Sequence, residues 1–195
     1  MNAIPLAAKQ VTKVLATLGI ALMLGAFSFA APSWAYLQGD VDMLLDFLDC
    51  PVCILNDADL AGQDLSGVNL KVAELTGANL HGANLESANL MLAELKETDL
   101  SEANLAGATM NGARLQGANL TGANLTGAVL TQANLDGANL QGANLQDAEM
   151  TAAIIGQADW RGANLKGANL RGASWYEALL CDTVLPDGTI GDRSC

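Results

Sequence analysis

From Leu55 to Leu180 a large apolar residue stands at every fifth position. Leucine gives way only to Met110, Met150, Ile155, Trp160 and Trp175, which are apolar too. Two residues earlier the chain places alanine without a break from Ala73 to Ala178, except at Thr98. Two residues later the commonest choice is glycine, as at Gly77, Gly82, Gly107 and Gly162. The stretch TGANLTGAVLTQANLDGANLQGANL (121–145) repeats the pattern five times. A period of five belongs to neither an amphipathic helix nor an alternating strand, so it has to be interpreted as a repeat first. In an extended segment, Ala and the Leu two places on share one side, and the residue between them faces the other way. Glycine beyond the Leu suits a corner with positive φ. Each pentapeptide therefore predicts a short strand and a corner, and corners of one sense wind the chain into a coil of stacked, hydrogen-bonded turns.

A stacked coil exposes core and unpaired backbone at both ends, which must be covered. Before the repeats, GDVDMLLDFLD predicts a helix with Asp40 as N-cap and an apolar stripe of Val41, Leu44, Leu45 and Leu48. After them, YEALLCDTVLPDGTIGDRSC predicts a hairpin around Pro186-Asp187-Gly188. The first 35 residues follow other rules. Lys9 and Lys13 precede an apolar run that ends in small residues at Ser33 and Ala35, the layout of a signal peptide (1–35) cleaved after Ala35. The alternative is an uncleaved anchor over residues 14–31. No twin arginine is present, which points to the general secretory route.

Composition changes the picture in two ways. The 195-residue chain is 51% hydrophobic but only 4% aromatic, so its core is repetitive and aliphatic. Its net charge of −12 argues against nonspecific phosphate binding, which requires Lys and Arg; it favours solubility and permits a basic partner. The charge is uneven: residues 36–102 hold 13 acidic and 2 basic residues, and residues 103–175 hold 4 of each. Candidate chemistry is sparse. The single histidine, His81, lies in an outward position without catalytic or ligating neighbours in sequence. No phosphate loop or nucleophile elbow occurs. Neither a cofactor nor a metal is expected, and no enzymatic activity. The four cysteines fit an oxidising compartment. Cys50-Pro-Val-Cys53 reads as a structural bridge, a pair of plain thiols, or a redox dithiol lacking the thioredoxin-type βαβ setting.

The pattern A-[N/D]-L-x-x over residues 54–180 resembles the pentapeptide-repeat family. The resemblance implies an all-β solenoid, a right-handed quadrilateral β-helix with four pentapeptides, hence 20 residues, per coil. Leu and the preceding Ala would face inward. The whole chain is also similar to secreted cyanobacterial members of the thylakoid lumen or periplasm, through its acidic helix, CPVC element, repeats and TVLPDGT tail. The expected organisation is a signal peptide (1–35), a capping helix with the CxxC (36–53), the β-helix (54–180) and a disulfide-pinned C-terminal cap (181–195). Gln63 and Val68 depart from the pattern, so an irregular first coil is expected.

With 20 residues per coil, residue n lies under n+20 at about 4.8 Å. Asn84, Asn104, Asn124, Asn144 and Asn164 then form an outward column, either as an amide ladder or as residues tolerant of a bend. Glu94 lies under Arg114. Trp160 and Trp175 enter the core near the upper lid. Val72 and Leu92 stack at a corner normally given to glycine, with Met91 beside Leu92 and Val129 outward on the same face; these four are the candidate interaction face. The repeats hold their two ends roughly 30 Å apart, beyond disulfide reach. Within one chain the pairs are therefore Cys181 with Cys195 and, if bridged at all, Cys50 with Cys53. The expected function is a non-enzymatic scaffold for protein interaction in the thylakoid lumen or periplasm. Its partner is an unidentified protein; neither nucleic acid nor, after cleavage, a membrane is expected, and the chain is a monomer. One alternative is a DNA-mimicking, gyrase-binding member of the family, against which the signal peptide argues because gyrase is cytoplasmic. The other is a thiol redox-regulated protein using Cys50 and Cys53.

Overall fold

The computed structural model describes residues 34–175 and 177–192, with the backbone alone for 34–38. The expected signal peptide therefore lies almost wholly outside the described residues, as does Cys195. Parallel bridges join each outward residue to the one 20 places on, from Asp49↔Asn69 up to Asn164↔Val184. Four pentapeptides thus make one turn of the coil.

The repeat at Leu120 shows why the chain closes this way. Leu120 and Gly122 donate their N–H groups to the next turn, at Asn139 O (2.7 Å) and Gln141 O (2.9 Å). Asn119 donates to the previous turn, at Thr98 O (3.0 Å), and Ala123 N–H closes the corner on Leu120 O (3.0 Å). The fifth amide, Thr121 N–H, has no carbonyl to meet and is taken by the Asn119 side-chain Oδ1 at 3.2 Å. All five donors are satisfied, as a backbone packed against its own turns requires. The two ladder bonds also impose the corner geometry. Gly122 has φ 67°, yet Glu97 and Gln132 adopt φ 55° and 58° in the same place. One corner differs. In IGQAD the glycine comes one position early, so Gly156 takes the positive φ (39°) and Gln157 N–H turns to Asp136 Oδ1 (3.1 Å).

Inside the coil the Leu and Ala columns are buried almost without exception. Each interior leucine stabilises the fold by about 1.5–3 kcal/mol through burial. Thr98 fits the alanine slot because its hydroxyl donates to Leu75 O (2.7 Å), a carbonyl otherwise occupied only by Ala78 N–H. Thr183 repeats the arrangement on Trp160 O at 2.7 Å. The first coil is regular, contrary to the expectation from Gln63 and Val68. Val68 is buried in the alanine slot, and Gln63 O still accepts Asn84 N–H (2.9 Å), since the ladder needs only backbone. The coil also begins lower than the repeat pattern indicates, with Cys50 in the inward position beneath Leu70.

Helix α1 (Trp34–Phe47) precedes the coil and starts before the expected cleavage point after Ala35. Asp40 therefore lies inside the helix and is not its N-cap. Its carboxylate instead accepts the N–H of Ile54 (2.7 Å), a bottom-turn donor with no coil beneath it. Val41 and Leu44 are buried against the core, while Met43 and Phe47 point outward. At the other end β1 (Thr183–Val184) pairs antiparallel with β2 (Ile190–Gly191), the hairpin expected around Asp187. Gly191 sits over the last full turn: a Cβ there would lie 3.0 Å from Leu180 O. Trp160 is buried, whereas Trp175 in the final turn is only half-buried.

Substituting inward and outward neighbours tests the architecture. Leu120→Asp buries an unpaired charge and should cost several kcal/mol, enough to unfold the chain or depress its melting temperature severely. Thr121→Asp should change stability by about 1 kcal/mol or less. Thermal melts followed by circular dichroism check the contrast, and equal melting temperatures would refute the inward placement of Leu120.

Candidate interaction surface

The walls are built from side chains stacked at the coil spacing. Asn104 Nδ2 donates to Asn84 Oδ1, Asn124 to Asn104 and Asn164 to Asn144, each at 3.0 Å. The ladder breaks once, where Asn144 Nδ2 turns to Thr126 Oγ1 (2.9 Å). The same Oδ1 atoms hold main-chain amides, as Asn124 does for Thr126 N–H (3.2 Å). Asparagine here serves both the ladder and the bend. Carboxylates in these columns do likewise. Arg114 and Lys96 each reach Glu94 at 2.9 Å. Burial raises the pKa of Glu94, but the hydrogen bonds and charges of Lys96 and Arg114 outweigh it and hold the carboxyl below its ordinary value. Hydrogen bonds from Arg161, Ser66, Thr151 and Thr189 lower Asp159, Asp64, Glu149 and Asp187 respectively.

His81 has more company than its sequence neighbours indicate. Its Nδ1 lies 2.9 Å from Ser101 Oγ one coil up, and that hydroxyl donates to Asp99 Oδ1 at 2.6 Å. The order is wrong for a nucleophilic triad, because the serine gives its proton to the aspartate and no acid orients the histidine. His81 is also fully on the surface. Among the described residues no group of three or more His, Cys, Asp or Glu is placed to hold a metal ion. No helix there is long and apolar enough to cross a membrane.

Cys50 and Cys53 form a disulfide with their Cα atoms 5.5 Å apart. It spans the corner already closed by Cys53 N–H on Cys50 O (3.4 Å), so the bridge makes one pentapeptide corner covalent. Both residues are buried, which denies an attacking thiolate its approach and gives the pair a structural setting. Cys181 is disulfide-bonded as well; Cys195, the partner expected for it, lies outside the described residues.

The apolar candidates divide. Val72 and Leu92 occupy one corner in successive coils, both exposed, with Met91 half-buried beside Leu92. Val129 is half-buried in the adjoining wall, two coils above Asn89, and does not join them. Sequence reasoning missed Val52, which lies one coil below Val72 and is 67% exposed; the 20-residue register identifies it once Asp49 is seen to pair with Asn69. Val52, Val72 and Leu92 thus form an outward ridge, with φ values of 65°, 61° and 58°. The left-handed region costs a residue with a Cβ about 1–2 kcal/mol, and β-branched valines are outliers there. Leu92 leans over Gly112, where a Cβ would come within 2.8 Å of its Cδ2. An apolar ridge is thus held on a corner that glycine would occupy without strain.

Two measurements follow from this surface. Val72→Gly relieves strain at the expense of chain entropy and should leave stability unchanged or raise it by about 0.5–1 kcal/mol. Gly122→Val, at a corner where the nearest Cβ contact is 3.9 Å, should lower it by about 1–2 kcal/mol. Denaturant titration distinguishes the pair, and a large loss in Val72→Gly would disprove the strain. The second measurement is an acid profile. Because these carboxyl groups titrate lower in the folded state, the unfolded chain takes up protons first as pH falls. Their stabilisation is complete above the ordinary carboxyl pKa of about 4 and is lost as pH falls through the folded values. Melting temperature should hold from pH 7 to about 5 and decline towards pH 2; a profile flat to pH 2 would contradict the lowered values.

The geometry agrees with known proteins. A family model for pentapeptide repeats matches in 8 copies, over residues 53–91, 88–127, 113–151, 123–159 and 143–180. No curated protein matches the chain. Among solved structures it is similar to HetL of Nostoc sp. strain PCC 7120, a pentapeptide repeat protein involved in heterocyst differentiation regulation. The identity is 35% over 73% of this chain and 74% of that one, with a TM-score of 0.57. It is similar to Rfr23 of the cyanobacterium Cyanothece 51142 at 29% identity, over 73% of this chain and 98% of the other, with a TM-score of 0.52. A pentapeptide repeat protein of the Arabidopsis thaliana thylakoid lumen shares 32% identity over 60% of this chain and 67% of that one, with a TM-score of only 0.24. With its 20-residue turns and its inward Leu and Ala columns, the chain belongs to the pentapeptide repeat family, whose members fold as right-handed β-helices.

Proposed function

We propose that the protein is a non-enzymatic scaffold of the thylakoid lumen or periplasm that engages another protein through the ridge of Val52, Val72 and Leu92, with Met91 at its side. The observation that carries this reading is the stacking of three exposed apolar residues in left-handed backbone where glycine is the unstrained choice. Strain retained at a surface position points to a use for the side chains that cause it. The wall around the ridge belongs to the acidic half of the chain, which favours a partner with basic groups around an apolar contact. The assignment to lumen or periplasm rests on the signal-peptide layout of the first 35 residues.

Affinity capture tests the reading. Processed protein, immobilised and exposed to lumenal or periplasmic extract, should retain a defined partner, and Val72→Ser/Met91→Ser/Leu92→Ser should lose most of it while keeping the wild-type fold. Undiminished capture by the triple variant removes the ridge as the contact. Cell fractionation checks the compartment, and recovery of the protein in the cytoplasm would remove that part of the proposal.

A further inference from the structure

The spacing and charge of the ridge restrict what can lie on it. Val52, Val72 and Leu92 occupy equivalent corner positions of three successive coils, so their Cα atoms recur at intervals of about 4.8 Å along the tower axis, with Leu92 leaning on towards Gly112. An extended peptide laid along the ridge presents same-side residues about 6.6–6.8 Å apart, and the two patterns fall out of step at the second contact. An α-helix repeats its apolar stripe once per turn, about 5.4 Å, through residues at i, i+3 or i+4, and i+7. Over three contacts the ridge and a helical stripe differ by roughly 1 Å, within the adaptability of leucine and methionine side chains. Met91, half-buried next to Leu92, widens the contact on one side.

Charge sets the rest of the partner's chemistry. The walls on either side of the ridge carry Asp49 and Glu74, both exposed, and Asp57 and Glu97 stand at the next corner round. Lys71 stands at the ridge corner, and on the Glu74 side Lys96 and Arg114 are both engaged by Glu94. A helix whose apolar stripe is bordered by Lys and Arg meets Asp49 on one flank and Glu74 on the other, with Asp57 and Glu97 beyond, whereas acidic borders would be repelled. A second copy of this chain does not fit: it brings the same acidic walls. Three projecting side chains and one neighbour also fall short of the 20–30 residues a side of a stable protein interface, and are enough for contact with a single helix face.

We infer that the ridge Val52–Val72–Leu92 is a docking site for an amphipathic helix of a partner protein, lying parallel to the tower axis with basic residues along both edges of its apolar stripe. The inference rests on the ridge being the contact surface proposed above. The test uses three fluorescein-labelled synthetic peptides of equal length, titrated with the protein and read by anisotropy. One has leucines at helical spacing bordered by Lys and Arg, the second has the same leucines bordered by Glu, and the third has leucine and lysine in strict alternation. The first should bind saturably and at least tenfold more tightly than either of the others. Its affinity should fall at least tenfold in Val52→Gly/Val72→Gly/Leu92→Gly, whose corners carry the residue favoured by the rest of the coil and whose melting curve verifies folding. Raising ionic strength should weaken it further. Equal binding of the alternating peptide, or binding unchanged by the glycine substitutions, overturns the inference. If no peptide binds but the serine variant still loses its captured partner, the helical partner is wrong and the ridge stands as a contact. If capture is also unchanged, both fall.

Discussion

A polypeptide that stacks on itself has to find a partner for every main-chain N–H, and in this protein that requirement governs nearly everything else. Two amides of a regular pentapeptide look to the next turn, one looks to the previous turn, and one closes the corner. The remaining one is commonly taken by the side chain of an Asn, Asp or Glu two residues earlier, as Asn119 Oδ1 takes Thr121 N–H; Thr76 N–H instead meets Asn56 Oδ1 one coil below. An acceptor of the right reach between Ala and Leu completes the arrangement, although Arg114, Val129 and Ile154 hold that position without interrupting the ladder. This explains why that outward position, free of any packing demand, is so strongly biased. Inserting one residue would move each Leu above it out of the core and each acceptor away from its amide, so the five-residue register runs without interruption.

The same over-determination allows departures that an isolated turn would not tolerate. With ladder bonds fixed above and below, a corner keeps its left-handed residue whether that residue is Gly122, Glu97 or Val72. Strain at one corner is offset by bonds made elsewhere. An apolar ridge can therefore be carried on the edge of the tower without loss of the fold. The bottom turn has no ladder beneath it, and it is here that other devices appear: the Cys50–Cys53 bridge across its corner, the Asp40 carboxylate under Ile54, and Val41 and Leu44 of α1 over the core. The top turn is handled with less material, by a hairpin that brings the bare backbone of Gly191 down onto Leu180.

Rigid walls and a short-range ladder make a surface whose groups are positioned by backbone. The carboxylates in the outward columns accept hydrogen bonds from residues fixed two or twenty positions away, and they stay ionised as a consequence. For the partner proposed above, such a surface would present a preorganised charge pattern and a ridge that does not need to be ordered on binding, which reduces the entropic cost of association. In the His81–Ser101–Asp99 chain the serine hydroxyl donates to the aspartate and no acid orients the histidine, so the group lacks the order of a nucleophilic triad.

The period of five, the inward Leu and Ala, the positive-φ corner and the closing hairpin were legible in the sequence, because each is a property of one repeat or one turn and is written in its own residues. The number of repeats per turn came only from resemblance to a family. It depends on the sum of four corner angles, which no single residue encodes. Everything that depends on that closure was decided by the tertiary structure. The 20-residue register brings Ser101 over His81, extends the ridge down to Val52 and leaves Val129 apart from Met91. It also shows Cys50 as a core residue of a lower turn that the leucine pattern does not mark. Asp40 was misread for the same reason. Its neighbours in sequence make a plausible helix start, but its hydrogen bond goes to Ile54, 14 residues away, because the last turn of a stacked coil leaves that amide without a floor.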